Sequence, residues 1–481
     1  MEKEKNARTE RLEPLTAVSP IDGRYREKTE ALAPFASEMA LIRTRMEVEA
    51  KYLVALSGVG LVRPFQEAER EFLINLGPSL TLEQAKRVKE IESTTRHDVK
   101  AMEKAFREFV SGTSIEDATE MIHFGLTSED VNNLSYRLMM KRAVHGVCIP
   151  AMDGVVDGFA KMARTYRALP MLARTHGQAA VPTTLGKELA NVAFRLNGQV
   201  RKLEAAELTG KLNGAVGNFN ALKYAAPEVS WPDFSAGFVS GLGLRPNPFT
   251  TQINPYDDMI EMFQAVQRVN NVILDVDQDM WRYISDDWFA QEAKKGEVGS
   301  STMPQKVNPI DFENSEGNVQ MSNFMLEGMG RKLAVSRLQR DLSDSTVIRN
   351  VGAALAYGLI GYGSTVAGLA RVRPNAQVMT DRLNENWAIL SEGVQTLMRR
   401  EGVCDPYSAM KDITRGNRFG RDDWRRAVAD LDKLGDPKIT EGLKARLLEL
   451  GPDSYIGYAA TLTDEALARI ESSRLLPRNR R

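Results

Sequence analysis

Apolar side chains recur at helical spacing through three long stretches of this 481-residue chain. Leu185, Leu189, Val192, Phe194, Leu196, Val200 and Leu203 are separated mostly by Lys, Glu, Arg and Gln, as in an amphipathic helix. Tyr256 to Phe289 repeats the pattern through Met259, Ile260, Phe263, Val266, Val269, Ile273, Val276, Met280 and Ile284. A third run starts near Ser345 and passes Ala353, Leu355 and Leu359 to Val366. These runs exceed the roughly 11–12 residues of an average helix. Their apolar stripes are too broad for one small core, so they predict a central bundle with surface left to continue across subunits. Shorter helices flank it, including Leu82 to Ile91 before the bundle. After Val372-Arg373-Pro374-Asn375, the residues Trp387, Leu390, Val394 and Leu397 mark another. The expected division is three helical domains, 1–117, 118–370 and 371–481, in keeping with a chain too long for one core. No large sheet is read, only brief β-rich candidates such as Phe249–Ile253. The class is all-α.

Composition narrows the function. Hydrophobic residues at 43% and charged residues at 26% describe a globular chain rather than a disordered one. Sixty-three basic side chains against 64 acidic ones leave a net charge of -1, without the basic excess of a nucleic-acid binder. Cys148 and Cys404 fit neither a disulfide framework nor a zinc site and read as small buried hydrophobes. The charged start, Met1 to Lys5, has no apolar core, so no secretory signal is read. Nor is an apolar run read as long enough to span a bilayer. The expected location is cytoplasmic, with no membrane partner.

The most distinctive segment is Gly299-Ser300-Ser301-Thr302-Met303-Pro304-Gln305-Lys306-Val307-Asn308-Pro309. Pro304 and Pro309 forbid a regular element there. The segment reads as a mobile loop that closes over an anionic substrate and brings the Ser300 hydroxyl near the Lys306 charge. Four histidines occur: His97, His123, His145 and His176. Three lie in polar, turn-like clusters, and His145 reads as structural. His176 stands in Ala173-Arg174-Thr175-His176-Gly177-Gln178, just ahead of a helix start at Pro182-Thr183-Thr184. His123 precedes Thr127-Ser128-Glu129-Asp130, which reads as a helix N-terminus. No two histidines share the spacing of metal ligands. Arg337, Arg340, Asp344, Ser345, Thr346 and Arg349 open the third apolar run. Free N–H groups at Ser345 and Thr346 with the two arginines alongside would suit a phosphate, and a capped helix with surface arginines suits the same residues equally.

The order of Arg24-Tyr25, Thr95 to Asp98, Thr127-Ser128, Arg174 to Gln178, Ser300 to Asn308 and Arg340 to Arg349 resembles the adenylosuccinate lyase family, in its long bacterial form. That family belongs to the aspartase/fumarase superfamily. Leu15 to Tyr25 and Asn308 to Asn318 are particularly similar. The resemblance implies a three-domain helical subunit whose central helices tetramerise, with each active site built from three chains. It implies elimination of fumarate from a succinyl-nucleotide, with no metal or organic cofactor. Carried over by position, Ser300 is the base and His176 the acid, and His97 helps hold the succinyl and phosphate groups. Lys306 and Asn308 bind carboxylates beside Thr127 and Ser128, and Gln252 touches the substrate near its leaving nitrogen. Arg24, Tyr25, Arg340, Ser345 and Arg349 hold phosphate and ribose. Arg96, Asp98, Asn314 and Thr346 fall in the same motifs and count with the substrate-binding residues.

Several positions depart from that family's pattern. Arg96 stands for an asparagine, Leu222 and Tyr256 for histidines, Asn254 for a glutamate and Gln305 for a histidine. Ala179 and Val181 stand for a proline and a threonine. These substitutions lead to the expectation of an intact elimination machinery inside an altered recognition shell. A related lyase acting on a different succinylated amine is the alternative they favour.

Overall fold

The computed structural model describes residues 13–293, 296, 299, 301–414 and 419–475. Helix α1 (Glu38–Gly58) is buried on nearly every side, against α2 (Leu82–Thr95), α3 (Asp98–Val110) and α4 (Ser128–Ala143). Its buried charges are paired, as burial demands: Arg45 with Asp98 at 2.7 Å, Glu47 with Arg142 at 2.8 Å and Glu49 with His123 at 2.5 Å. A π-turn at Val144–Cys148, which contains His145, carries α4 into α5 (Ile149–Thr165).

The long apolar runs form the bundle. Helices α5, α6 (Leu185–Glu204), α7 (Asp257–Ser285), α8 (Ile310–Leu333) and α10 (Val351–Arg371) pack side by side, with α9 (Ser343–Ile348) between the last two. Their directions follow from the bonds between them. Gln267 pairs with Asn323 and Gln278 with Glu316, so α7 and α8 are antiparallel. Thr365 meets Ser315 and Arg371 meets Asp311, so α8 and α10 are antiparallel too. One end of the bundle therefore gathers the start of α8 with the ends of α7 and α10. The other gathers the end of α8 with the starts of α7 and α10.

Trp387 to Leu447 enclose a second, separate core, but the last helix, α11 (Ala459–Leu475), leaves it and lies along α6. Leu467 and Ile470 thereby join the main core.

Some local expectations change. Phe249–Ile253 is not a strand. Instead β1 (Pro170–Thr175) and β2 (Gln178–Thr184) form an antiparallel hairpin, and α6 starts only after Thr184, whose side chain accepts the Lys187 N–H at 3.2 Å. The third apolar run is not continuous either. It breaks at Arg349-Asn350, where Arg349 turns to pair with Glu38 and Asp98. Cys148 is buried, which pushes its thiol up to about 12, whereas Cys404 is exposed rather than a core residue. By length and composition Ser343–Arg371 passes as a membrane span, contrary to the reading that no run is long enough. It is mostly buried among the other bundle helices, which accounts for its apolarity without a membrane.

Candidate active site

Where α8 ends, four segments interlock. The turn into α4 is fixed by Asp130, whose carboxylate accepts the Thr127 N–H at 2.9 Å. The same carboxylate accepts the Asn213 N–H at 3.0 Å and lies 3.0 Å from the Lys211 ammonium. Asp130 and Lys211 are both fully buried, so Thr127 and Ser128 sit on a rigid base. The next residue, Glu129, lies 3.4 Å from Arg340. Arg340 in turn donates to Gln252 Oε1 at 3.2 Å, and Gln252 donates to the Ala215 carbonyl at 3.1 Å. The Nε of Arg340 is buried without a protein partner. Burial raises the Glu129 carboxyl to about 7, with Arg340 pulling it down and Asp344 pushing it up.

Asp98 and Arg349 are held in the same region. Asp98 lies 2.7 Å from Arg45 and 3.2 Å from Arg349. Burial opposes its charged form, but the two guanidiniums and the Val99 N–H overcome it and hold the carboxyl down at about 2. His97 caps α3 by accepting the Lys100 N–H on Nδ1 at 3.1 Å. That bond selects the tautomer with the proton on Nε2, so an exposed ring presents one N–H donor. Arg96, also exposed, ends α2 in a left-handed conformation with φ 51°. Arg24 is exposed and Tyr25 half-buried, just before the turn Arg26–Thr29 that packs on α10. Ser345 and Thr346 do not open a long helix as expected. They sit inside the six-residue α9, and the Ser345 hydroxyl donates back to the Leu342 carbonyl at 2.9 Å. The helix-dipole argument for a phosphate at these two residues therefore fails, because α9 is too short to supply it.

The other end of the bundle carries a different set. His176 and Gly177 have φ of 53° and 73° and form the two-residue tip of the β1–β2 hairpin, as the twist of a tight hairpin requires. The His176 ring is exposed there. Arg174 braces the tip by donating to the Gly177 carbonyl at 3.2 Å and lying over the Trp288 ring. The signature loop curls back on itself: Asn308 donates to the Gly299 carbonyl at 2.5 Å. A Cβ on Gly299 would fall 2.0 Å from the Lys306 carbonyl oxygen, so only glycine fits. Lys306 is exposed, and Asn314 is the fifth residue of α8, accepting from Asn318. Ser300 lies outside the described residues.

Helix α8 has 24 residues and at 1.5 Å per residue is about 36 Å long. One chain thus brings Thr127, Ser128, Gln252 and Arg340 together at one end, and His176, Lys306 and Asn308 together at the other. It does not join the two sets.

The positions that depart from the family pattern divide by burial. Leu222, Asn254 and Tyr256 are 1%, 0% and 4% exposed. Leu222 packs against Gly125, where a Cβ would fall 2.2 Å from its side chain. Asn254 lies in a buried polar network with Asn247, Thr209 and Arg137. Tyr256 donates to Asp344 at 3.0 Å. These three support the site from behind rather than lining it, which corrects the expectation that they alter the recognition surface. Arg96, Ala179 and Gln305 are exposed and Val181 is half-buried.

Several participants were not singled out from sequence: Arg45, Glu38 and Glu129. Glu129 was visible only as an acidic residue in a helix's first turn, and no spacing links it to Arg340 so far along the chain. Among the described residues no three His, Cys, Asp or Glu side chains cluster as metal ligands.

Comparison with known proteins agrees with this architecture. The family model described as lyase matches residues 23–322, and that described as adenylosuccinate lyase C-terminal matches 336–456. The chain is 46% identical to an adenylosuccinate lyase of Escherichia coli, over 94% of this chain and 99% of that protein. It is 44% identical to the adenylosuccinate lyase of Haemophilus influenzae with the same coverage. Among solved structures, a 3-carboxy-cis,cis-muconate lactonizing enzyme from Pseudomonas putida superposes with a TM-score of 0.72 at 18% identity, covering 92% of this chain and 98% of that one. A fumarate lyase from a Mesorhizobium species gives 0.71 at 16% identity, covering 92% and 97%. These two show the all-α fold. With near-complete matches at this identity, the chain belongs to the adenylosuccinate lyase family of the aspartase/fumarase superfamily.

Proposed function

We propose that this carbon–nitrogen lyase cleaves adenylosuccinate to AMP and fumarate, and acts likewise on the succinyl-aminoimidazole carboxamide ribotide of purine biosynthesis. The observation that carries the reading is 46% identity to an adenylosuccinate lyase over almost the whole of both chains. Burial of Leu222, Asn254 and Tyr256 removes much of the ground for a different succinylated amine.

Elimination needs a base at the carbon beside a carboxylate, an acid at the leaving nitrogen, and fixed donors for the charge that builds on the carboxylate. In this proposal Ser300 removes the proton, Lys306 and Asn308 bind the carboxylates with Thr127 and Ser128, and His176 protonates the departing nitrogen. The C–N electron pair leaves with the nitrogen, and the new double bond is that of fumarate. His97 donates through Nε2 to the succinyl and phosphate side. Arg340, with Arg24, Tyr25, Ser345 and Arg349, holds the phosphate and ribose, and Gln252 lies near the leaving nitrogen. Arg96, Asp98, Asn314 and Thr346 belong to the same shell, Asp98 by fixing Arg349.

A tetramer is part of the proposal. The two halves of the site lie a bundle length apart, so a complete site needs at least two chains, and the family resemblance implies three. Phe194, Trp281, Met321, Phe324 and Val366 expose apolar surface on α6, α7, α8 and α10, which antiparallel packing of bundles would cover while bringing opposite ends together. The three-domain division and a cytoplasmic location also stand as proposals. The test is fumarate release from adenylosuccinate by the purified protein, with AMP as co-product. A folded tetramer that releases none would sink the assignment.

A further inference from the structure

Arg340 and its two partners have a feature that the elimination chemistry leaves unused. Arg340 is fixed on two of its three nitrogens: Nη1 by Gln252 at 3.2 Å and Nη2 by Glu129 at 3.4 Å. Its Nε is buried and has no protein partner. A guanidinium held in one plane with a spare, desolvated N–H is prepared for an anionic acceptor and loses little freedom on binding one. Glu129, however, sits 3.4 Å from the same guanidinium and, when ionised, competes with that acceptor for its charge.

We infer that Glu129 is a positioning residue that holds Arg340 for the substrate phosphate while itself carrying a proton, and that phosphate binding is coupled to keeping that proton. The inference rests on the reading of Arg340 as a phosphate ligand. Glu129 is 3% exposed. Facing it are Arg340 from its loop, Asp344 from α9, Tyr256 at the start of α7, and Lys211 and Arg137. Asp130, its neighbour in α4, is already matched by Lys211 at 3.0 Å. Asp344 accepts from Tyr256 on one oxygen, while its other oxygen is buried and unpaired. Glu129 holds the guanidinium and Asp344 the phenol, so a second buried carboxyl lies near Glu129 and its charge disfavours ionisation of Glu129. Burial already raises the Glu129 carboxyl to about 7. A phosphate dianion on Arg340 adds negative charge beside it and raises proton affinity further. Binding near neutral pH then takes up a proton, and it weakens as pH rises and Glu129 ionises.

The test uses AMP as the probe, as an inhibitor of fumarate release from adenylosuccinate. In wild type, AMP inhibition is expected to weaken about tenfold between pH 7 and 9. Glu129→Gln keeps the acceptor oxygen but cannot ionise, so its inhibition constant should change less than about threefold over that range. Glu129→Ala, which drops the support, should bind AMP weakly at both ends of the range. The corresponding nucleoside substrate, lacking phosphate, should show no KM dependence on residue 129. A Glu129→Gln profile that tracks wild type overturns the inference, as does a flat wild-type profile. Should the variants not fold, calorimetry of AMP binding to the wild-type tetramer in two buffers of different ionisation heat reads the proton directly, and no uptake overturns it. Failure of the functional reading is distinguishable, because wild type would then release no fumarate at all.

Discussion

At the Arg340 end of the bundle Gln252, Arg340, Asp98 and Arg349 are already tied into hydrogen-bonded networks. At the His176 end they stand in solvent, on a hairpin tip and a curled loop. Asp130 with Lys211, Arg340 with Gln252 and Glu129, and Asp98 with Arg45 and Arg349 are closed networks within one chain. His176 and Lys306 are exposed. The difference separates recognition from chemistry. The rigid end is preorganised before any substrate or second chain arrives. In the proposed tetramer the acid and the signature loop become useful only when another copy presents its rigid end, so assembly itself would act as the switch for catalysis.

The strongest way to break this comparison is at the chemical end. Ser300→Ala or His176→Ala should lower kcat by about a thousandfold while AMP binding stays near wild type. A Ser300→Ala enzyme with near-normal turnover would move the base elsewhere, with Ser301 the nearest candidate. Next comes the division between chains. Ser300→Ala and Arg340→Ala proteins, each inactive, should regain about a quarter of wild-type activity when co-assembled, since random mixing pairs two intact halves that often. No recovery from verified mixed tetramers would mean that each site is built within a single chain.

The rigid end can be probed through Asp98. Its folded carboxyl is held at about 2 against an ordinary value near 3.8. Its contribution is therefore present at neutral pH and is lost as pH falls from about 4 towards 2. Asp98→Asn should reduce stability at pH 7 by about 2 kcal/mol, read as a shift in urea midpoint. The gap between variant and wild type should close on acidification, and a gap independent of pH would refute the charge pairing as its source. The smallest effect is expected at Tyr256→Phe. Loss of its bond to Asp344 should lower stability by about 1 kcal/mol with little change in kcat for adenylosuccinate. A large change in substrate preference would return Tyr256 to the recognition surface.

Much of the rigid scaffold was legible in the chain, because α6 and α7 bury one face each and carry the period of a helix in their sequence. The loop Gly299 to Pro309 was legible because two prolines and a glycine exclude regular structure whatever surrounds them. The hairpin bearing His176 was not. Its strands are short, and the decisive signal, a tip whose two residues both adopt positive φ, depends on a histidine taking a conformation it seldom takes. The break at Arg349 escaped for another reason. Its cause is a pair of carboxylates, Glu38 and Asp98, supplied by helices hundreds of residues earlier.

The sequence by itself determined the helical class and the long bundle helices, since these follow from local periodicity and residue type. Only the tertiary structure decided that Leu222, Asn254 and Tyr256 face inward, that α11 returns to α6, and that Glu129 meets Arg340. It alone decided that the proposed acid and the phosphate end lie at opposite ends of α8. These are relations between residues far apart in the chain. They are set by packing and by the pairing of buried charge, neither of which leaves a local trace in the order of amino acids.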